Sequence, residues 1–420
     1  MFMYGIPNTL SLNKRKIIND PIYGFIRIPD GIIFRIIEHP YFQRLRRINQ
    51  LGLTDFVYPG ATHTRFHHAI GSMHLMDMAL TSLRAKGVEI SDDEFESALI
   101  TILLHDIGHG PFSHALEFSL IKGIKHEKIS ALIMQLFNHE LDNKLDLALK
   151  IFNGTYHKKF LSQLVASQLD VDRLDYLNRD SFFTGVSEGK VGFERILKML
   201  NVHDHEIVVE EKAIYSIENF LSSRRLMYWQ VYLHKTTVAA ETLLIKLIKR
   251  AKKLAAEGKL ETRNKALMLF LLNDYSLEDF QEDEKVLSAF LSLDDNDLWG
   301  AIKIWMHHDD RVLAELCRML IERDLFKIGI YNKAVSKSQI SSLRKIFAEN
   351  FHISKKDASY FINEGKLSNS AYELANSKIN VLMKNGDIVD IASASDLPNI
   401  KALSKIVNKF YLCFPKSVSL

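Results

Sequence analysis

The sequence predicts a mainly α protein with small β-hairpins, on three observations. Eight prolines occur in the 420 residues, but none between Pro111 and Pro398. An interior proline removes a hydrogen bond and clashes with the preceding turn, so a proline-free run of this length suits helices. That run is rich in Leu, Ile, Lys, Glu and Ala, which favours helix overall. Apolar residues also recur at helical spacing, from Ala69 to Leu83 and from Glu94 to Leu104.

The elements follow in order. Asp20-Pro21-Ile22-Tyr23-Gly24 reads as a turn leading into a short strand ending at Ile28. A helix is expected from Ile32 to Asn49, then the two periodic helices, the second running on until Pro111 breaks or bends the helix after His109. Ser130–Phe137 and Phe160–Asn178 read as helices. Ile207-Val208-Val209 with Ala213-Ile214 suggests a small hairpin. Neither Gly nor Pro interrupts Ile214–Glu257, so one long helix ending near Gly258 is expected. The chain should stay helical to about Asn376. A hairpin over 379–391 follows, turning at Asn385-Gly386. Asp396 offers an N-cap for a closing helix. The expected organisation is an N-terminal strand and helix segment (1–50), a core (51–257) and a smaller α+β C-terminal region (258–420), the last assigned to packing and oligomerisation.

Hydrophobic residues make up 47% and charged residues 25%, the profile of a globular chain. Lys and Arg number 54 against 51 acids, for a net charge of +3. Nothing there announces a nucleic-acid or membrane binder. The only cysteines, Cys317 and Cys413, form no ligand spacing. With no apolar stretch of about 18 residues and no signal-like N-terminus, a cytoplasmic protein is expected.

Chemistry concentrates in Leu104–His114, where three histidines and an aspartate fall within ten residues. His105 and Asp106 are adjacent, and His109 lies one helical turn beyond. A helix end with hydrogen-bonded core histidines is the bland alternative; it suits a lone histidine better than a His-Asp pair with further histidines. The pair supplies two metal ligands. Arg65-Phe66-His67-His68 offers a third upstream, and the Asp170, Asp172 and Asp175 segment offers carboxylates downstream. Imidazoles with carboxylates suit Mn, Fe, Mg, Ni or Co better than structural zinc.

This order, with Asn19–Gly24, Phe42–Arg46, Gln50–Gly52, Pro59–Ala61 and Asp172–Asp180, resembles the HD phosphohydrolase superfamily and, within it, the dGTPase-like deoxynucleoside triphosphate triphosphohydrolases. The likeness covers roughly residues 16 to 240. It implies an HD-type helical bundle and a divalent metal ion held by His68, His105, Asp106 and Asp172. It further implies catalytic roles for His109, His126, Glu117 and Arg65. Glu117 would orient His126, and Arg65 would contact phosphate. Gln50, His114, Arg173, Tyr176 and Asp180 match substrate contacts. Lys16, Glu38, Gln43 and Arg46 match positions where some relatives bind an activating nucleotide between subunits. Glu38 departs from the aspartate of the vertebrate enzyme, and His67 stands where that enzyme has an acid. The implied reaction splits a dNTP into deoxynucleoside and triphosphate, in a homo-oligomer. Two alternatives are an HD phosphohydrolase acting on another nucleotide phosphate ester and a nucleotide-sensing oligomeric protein with weak activity. Nucleic acid is at most a secondary partner.

Overall fold

Asp20 turns the chain back on itself: its carboxylate accepts the amides of Ile22 (2.9 Å) and Tyr23 (3.1 Å). Strand β1 (Ile17–Asp20) therefore returns as β2 (Gly24–Arg27), with Asp20 opposite Gly24. The computed structural model describes residues 16–117, 119–121, 123–369, 372, 378–396 and 406–418. These residues are mainly helical, with small sheets, as the sequence predicts.

The helix expected over Ile32–Asn49 is instead three pieces: Ile32–Glu38, Pro40–Gln43 and a 3-10 turn at Arg44–Arg47. The break is at His39, extended at φ −67°, ψ 138°. A residue before proline is driven out of the helical region by the proline ring.

The Arg65–Ala85 helix is buried on nearly every face, so it is the central element rather than an amphipathic surface one. It packs on Asp92–Leu104 and on Val171–Thr184. A capping box of Ser91 and Glu94 starts the Asp92 helix. That helix ends at Leu104, earlier than expected, and His105–Gly110 continue as tight turns. The cause is the neighbouring His126–Glu140 helix. Ser130 Oγ accepts the Gly108 amide (3.0 Å) and donates to His105 O (2.7 Å), so these main-chain groups need no further helix. Gly108 permits the approach: a Cβ there would lie 2.3 Å from His126 O.

Three other expectations change in the same way. Phe160–Asn178 divides into Lys159–Val165 and Val171–Thr184. Asp170 caps the second piece, accepting the amides of Arg173 (2.8 Å) and Ser167 (2.7 Å). The partner of the Ile207 strand lies upstream. β3 (Leu200–His203) pairs with β4 (Glu206–Glu210) through Asp204 and His205, both at positive φ, while Ala213-Ile214 leads into a helix. The long helix is Ile214–Met227, a π turn over Tyr228–Tyr232, and Lys235–Ala256. The Leu233 amide bonds five residues back to Tyr228 O (2.8 Å), and the His234 side chain caps the next helix. Gly258, at φ 68°, follows its end as expected.

Helices continue to Ile321, but β5 (Lys327–Tyr331), β6 (Asn363–Asn369) and β9 (Val407–Phe414) form a sheet that periodicity did not reveal. Its strands pair across long sequence separations and β6 is mostly polar, so no local alternation marks it. The hairpin of β7 (Asn380–Leu382) and β8 (Ile388–Asp390) forms around Asn385-Gly386. β7 also adds in parallel to β4, tying the C-terminal region to the middle of the chain. The expected helix after Asp396 lies outside the described residues. Buried apolar side chains from Ile26 to Val418 form a continuous core. No helix among the described residues is long and apolar enough to cross a membrane.

Candidate metal centre and phosphate site

Three helices meet at the centre of the molecule, and each brings a ligand-type side chain to the same point. His68 stands in the first turn of the Arg65 helix, His105 and Asp106 at the end of the Asp92 helix, and Asp172 in the first turn of the Val171 helix. His68 Nε2 lies 3.0 Å from Asp172 Oδ1 and 3.9 Å from Asp106 Oδ2. His105 Nε2 lies 3.4 Å from Asp106 Oδ1 and 3.5 Å from Asp172 Oδ1. His68, His105 and Asp172 thus bring one ligand atom each within 4.8 Å of one another, while Asp106 forms a second such group with His109 and His126 at the edge of the first.

The donor set fits a divalent cation. Both Nε2 atoms are buried and make no well-aligned hydrogen bond among the described residues, although Asp172 Oδ1 stands 3.0 Å from one and 3.5 Å from the other. A buried imidazole nitrogen without a partner is costly, and a cation would satisfy both. Their other nitrogens are committed. His105 Nδ1 donates to Ile102 O (2.6 Å), and His68 Nδ1 lies 2.7 Å from Asp175 Oδ2. With the proton held on Nδ1, each Nε2 lone pair faces the cluster. Burial pulls the pKa of His68 down, but Asp172 and Asp175 outweigh it and hold it at about 10. A proton and a cation compete for that nitrogen, and the same negative surroundings favour either. Burial likewise opposes ionisation of Asp106, yet His105, His109 and Arg65 keep it well below the ordinary carboxylate range.

Beside this cluster, His109 and His126 stack with ring centroids 3.7 Å apart. Their Nε2 atoms lie 3.6 and 3.9 Å from Asp106 Oδ1. Glu117 Oε1 accepts the His126 amide (2.9 Å) and lies 3.1 Å from its Nδ1, which fixes the ring. Burial, aided by the Arg65 charge, holds the pKa of His109 well below its usual value. Arg65 is buried, pairs with Asp106 through Nη1, and donates from Nε to Ser113 Oγ (2.8 Å). A pocket opens alongside, lined by His109, Ser113, Glu117 and His126 among others.

The expected substrate positions are partly grouped. Asp180 is buried, with Oδ1 2.8 Å from His63 Nε2 and Oδ2 accepting Tyr232 OH (2.6 Å). The Tyr232 ring meets those of Tyr176 and Tyr228 edge-on. Gln50 is anchored by its amide to His63 O (3.0 Å), and its Oε1 is buried with no hydrogen bond among the described residues. Arg173 pairs with Asp170 and keeps its Nε without one. The side chain of His114 lies outside the described residues. The expected effector residues form two pairs on the surface. Lys16 Nζ meets Glu38 Oε1 (2.8 Å), and Arg46 Nε donates to Gln43 Oε1 (2.8 Å). Arg46 also covers the Phe66 ring at 3.5 Å.

Sequence reasoning missed the residues that support these. Asp175 was seen as one carboxylate among several, although its place three residues after Asp172 puts it one turn further along. Arg179 donates twice to Asp175 (2.9 Å each) and once to Asp20 (2.8 Å), linking the β1–β2 turn to His68. Buried Arg224, held at Gln168 (3.2 Å), keeps its Nε without a hydrogen bond among the described residues. A polar residue within a helix gives no signal of such a role.

Residues 65–180 match the HD domain family, and residues 191–278 match the HD associated region. The chain is 32% identical to the uncharacterised Bacillus subtilis protein YwfO over 97% of this chain and 94% of that one. It is 34% identical to a Dictyostelium discoideum protein named deoxynucleoside triphosphate triphosphohydrolase SAMHD1 homolog, over 56% of this chain and 49% of that one. A crystal structure described as a phosphohydrolase from Bacteroides thetaiotaomicron superimposes with a TM-score of 0.93 at 49% identity, covering 96% of this chain and all of that one.

Proposed function

Because the chain belongs to the HD-domain phosphohydrolase superfamily, near its dGTPase-like branch, we propose that it is a metal-dependent hydrolase cleaving deoxynucleoside triphosphates into deoxynucleoside and triphosphate. The observation that carries the reading is the approach of His68, His105 and Asp172 to one point, with Asp106 3.9 and 3.4 Å from the two buried Nε2 atoms. These four side chains are the proposed ligands. When bound there, a divalent ion (Mn, Fe, Mg, Ni or Co) would supply Lewis acidity for a water and a phosphate oxygen.

The remaining work falls to this chain's own side chains. His126 is the proposed proton donor to the leaving 5′-oxygen; the contact of its Nδ1 with Glu117 and of its Nε2 with the Asp106 side supports this. His109 stacks on that ring and sets its plane. Arg65, turned from Asp106 toward a phosphate oxygen, and Arg173, through its uncommitted Nε, offset the growing negative charge. Tyr176, Gln50 and the Asp180–Tyr232 pair form the proposed sugar side, and His114 a further phosphate-side group. Lys16, Glu38, Gln43 and Arg46 are proposed to bind an activating nucleotide in a homo-oligomer; the exposure of Lys16 and Glu38 supports this.

One observation favours a second reading, hydrolysis of a different nucleotide phosphate ester: both Asp180 oxygens already have partners, leaving less capacity for a sugar hydroxyl. A dNTP hydrolysis screen with Mn or Mg, with and without GTP or dGTP, tests the proposal by its triphosphate product. Release of orthophosphate or pyrophosphate, or turnover only of other phosphate esters, contradicts it.

A further inference from the structure

Asp295 lies outside the residues that match either family description, yet its carboxylate reaches the edge of the site. It is 4% exposed, at the start of the Asp295–Trp305 helix. Oδ1 accepts the amide of Phe112 (2.7 Å) and Oδ2 the amide of Asn49 (2.8 Å). One buried carboxylate thus joins two separate main-chain segments.

Both segments carry groups of the proposed site. Asn49 makes an antiparallel bridge with Thr64, and the next residue, Gln50, bonds to His63 O. Phe112 and Ser113 are consecutive non-glycine residues in the left-handed region, at φ 51° and 48°. Such a conformation persists only where the surroundings impose it. Here Asp295 holds the Phe112 amide, Trp299 of the same helix packs edge-on against the Phe112 ring at 5.4 Å, and Arg44 bridges Leu293 O (2.7 Å) to His109 O (2.9 Å). The strained pair places Ser113 Oγ to accept Arg65 Nε, and Arg65 in turn faces Asp106.

We propose that Asp295 is a positioning residue: it clamps the His109–Ser113 loop in its left-handed form and so sets Arg65 against the phosphate site. The proposal rests on the phosphohydrolase reading. It gives the C-terminal region a part in the site beyond packing. Without the second acceptor, the loop relaxes, Ser113 withdraws from Arg65, and the guanidinium loses its orientation. Three of the four proposed ligands, His68, His105 and Asp172, stand on other elements, so the ion is retained although Asp106 loses its Arg65 partner.

Asp295→Asn has nearly the same volume but one acceptor oxygen in place of two, so one of the two amides faces an NH2 group. The matched control is Asp294→Asn, an adjacent buried acid that caps the same helix and pairs with Arg47, not with the loop. Hydrogen exchange followed by mass spectrometry is expected to show at least tenfold faster exchange over residues 110–114 in Asp295→Asn, and none of this in the control. Bound Mn is expected to equal that of the wild type. kcat is expected to fall about 100-fold, as a small misplacement near the reacting group does, with KM changed far less. If Asp295→Asn does not fold, Asp295→Glu, which displaces the same two acceptors, takes its place. Unchanged exchange over 110–114, or equal loss of kcat in both variants, overturns the proposal. The exchange measurement needs no substrate, so a wild-type protein that hydrolyses no nucleotide would sink the phosphohydrolase reading separately.

Discussion

His68 Nδ1 lies 2.7 Å from Asp175 Oδ2, and Asp175 is itself gripped by Arg179, whose third contact is Asp20 of the first turn. The proposed ligand is therefore aimed by a chain of buried charges running to the N-terminal hairpin. Outer partners of this kind typically account for 10- to 100-fold in metal affinity. Asp175→Asn is expected to weaken Mn binding by about that factor, with activity recovered at excess Mn. A chelator-competition titration checks this; unchanged affinity would mean that Asp175 serves folding alone.

Glu117 and His126 separate proton transfer from metal binding. His126→Ala should lower kcat by about 10²- to 10⁴-fold, the usual range for a general acid, while retaining the metal. Glu117→Gln leaves the ring in place but removes the carboxylate that orients it, so a smaller loss is expected. Single-turnover rates distinguish the two, and a loss of bound metal in either variant would show that the division of labour is wrong.

Much of this site was legible because its chemistry is local in sequence: a His-Asp pair, an Arg-Phe-His-His run and a helix of spaced aspartates. Helix existence was legible from periodicity and missing prolines, but helix ends were not. They depend on tertiary partners, as when Ser130 takes the main-chain groups of Gly108 and His105, or Asp170 caps a helix within an apparently unbroken run. The β5–β9–β6 sheet and the reach of Asp295 to Phe112 were invisible for the same reason, since each joins residues far apart in the chain.

The surface pair Lys16–Glu38 bears on regulation. Lys16→Ala is expected to abolish stimulation by GTP or dGTP while leaving unstimulated turnover near wild type, as Lys16 is half-exposed and bonds to none of the proposed catalytic groups. Undiminished stimulation in a dose–response assay would remove Lys16 from any effector site.

His39 gives a prediction for stability. Burial lowers its pKa from 6.5 to about 4, and its Nδ1 accepts the Tyr41 amide (3.2 Å). The unfolded chain binds a proton at higher pH than the folded one, so the contribution of His39 to stability is complete above about 6.5 and is lost as pH falls toward 4. The shift corresponds to roughly 3 kcal/mol at most. Asn can keep the cap without the titration. Denaturant melts of His39→Asn should therefore fall less steeply than wild type between pH 6.5 and 4; parallel curves would show that His39 does not carry this loss.

The proposed ion between three helices is tested most directly by counting it. Protein stripped of metal and reconstituted with Mn should hold about one ion per chain at the central site, by elemental analysis after removal of free metal. His68→Ala and Asp172→Ala, each still folded by circular dichroism, should hold almost none and release no triphosphate from dNTPs. Either variant retaining a full equivalent of Mn, or turning over without it, would contradict the account.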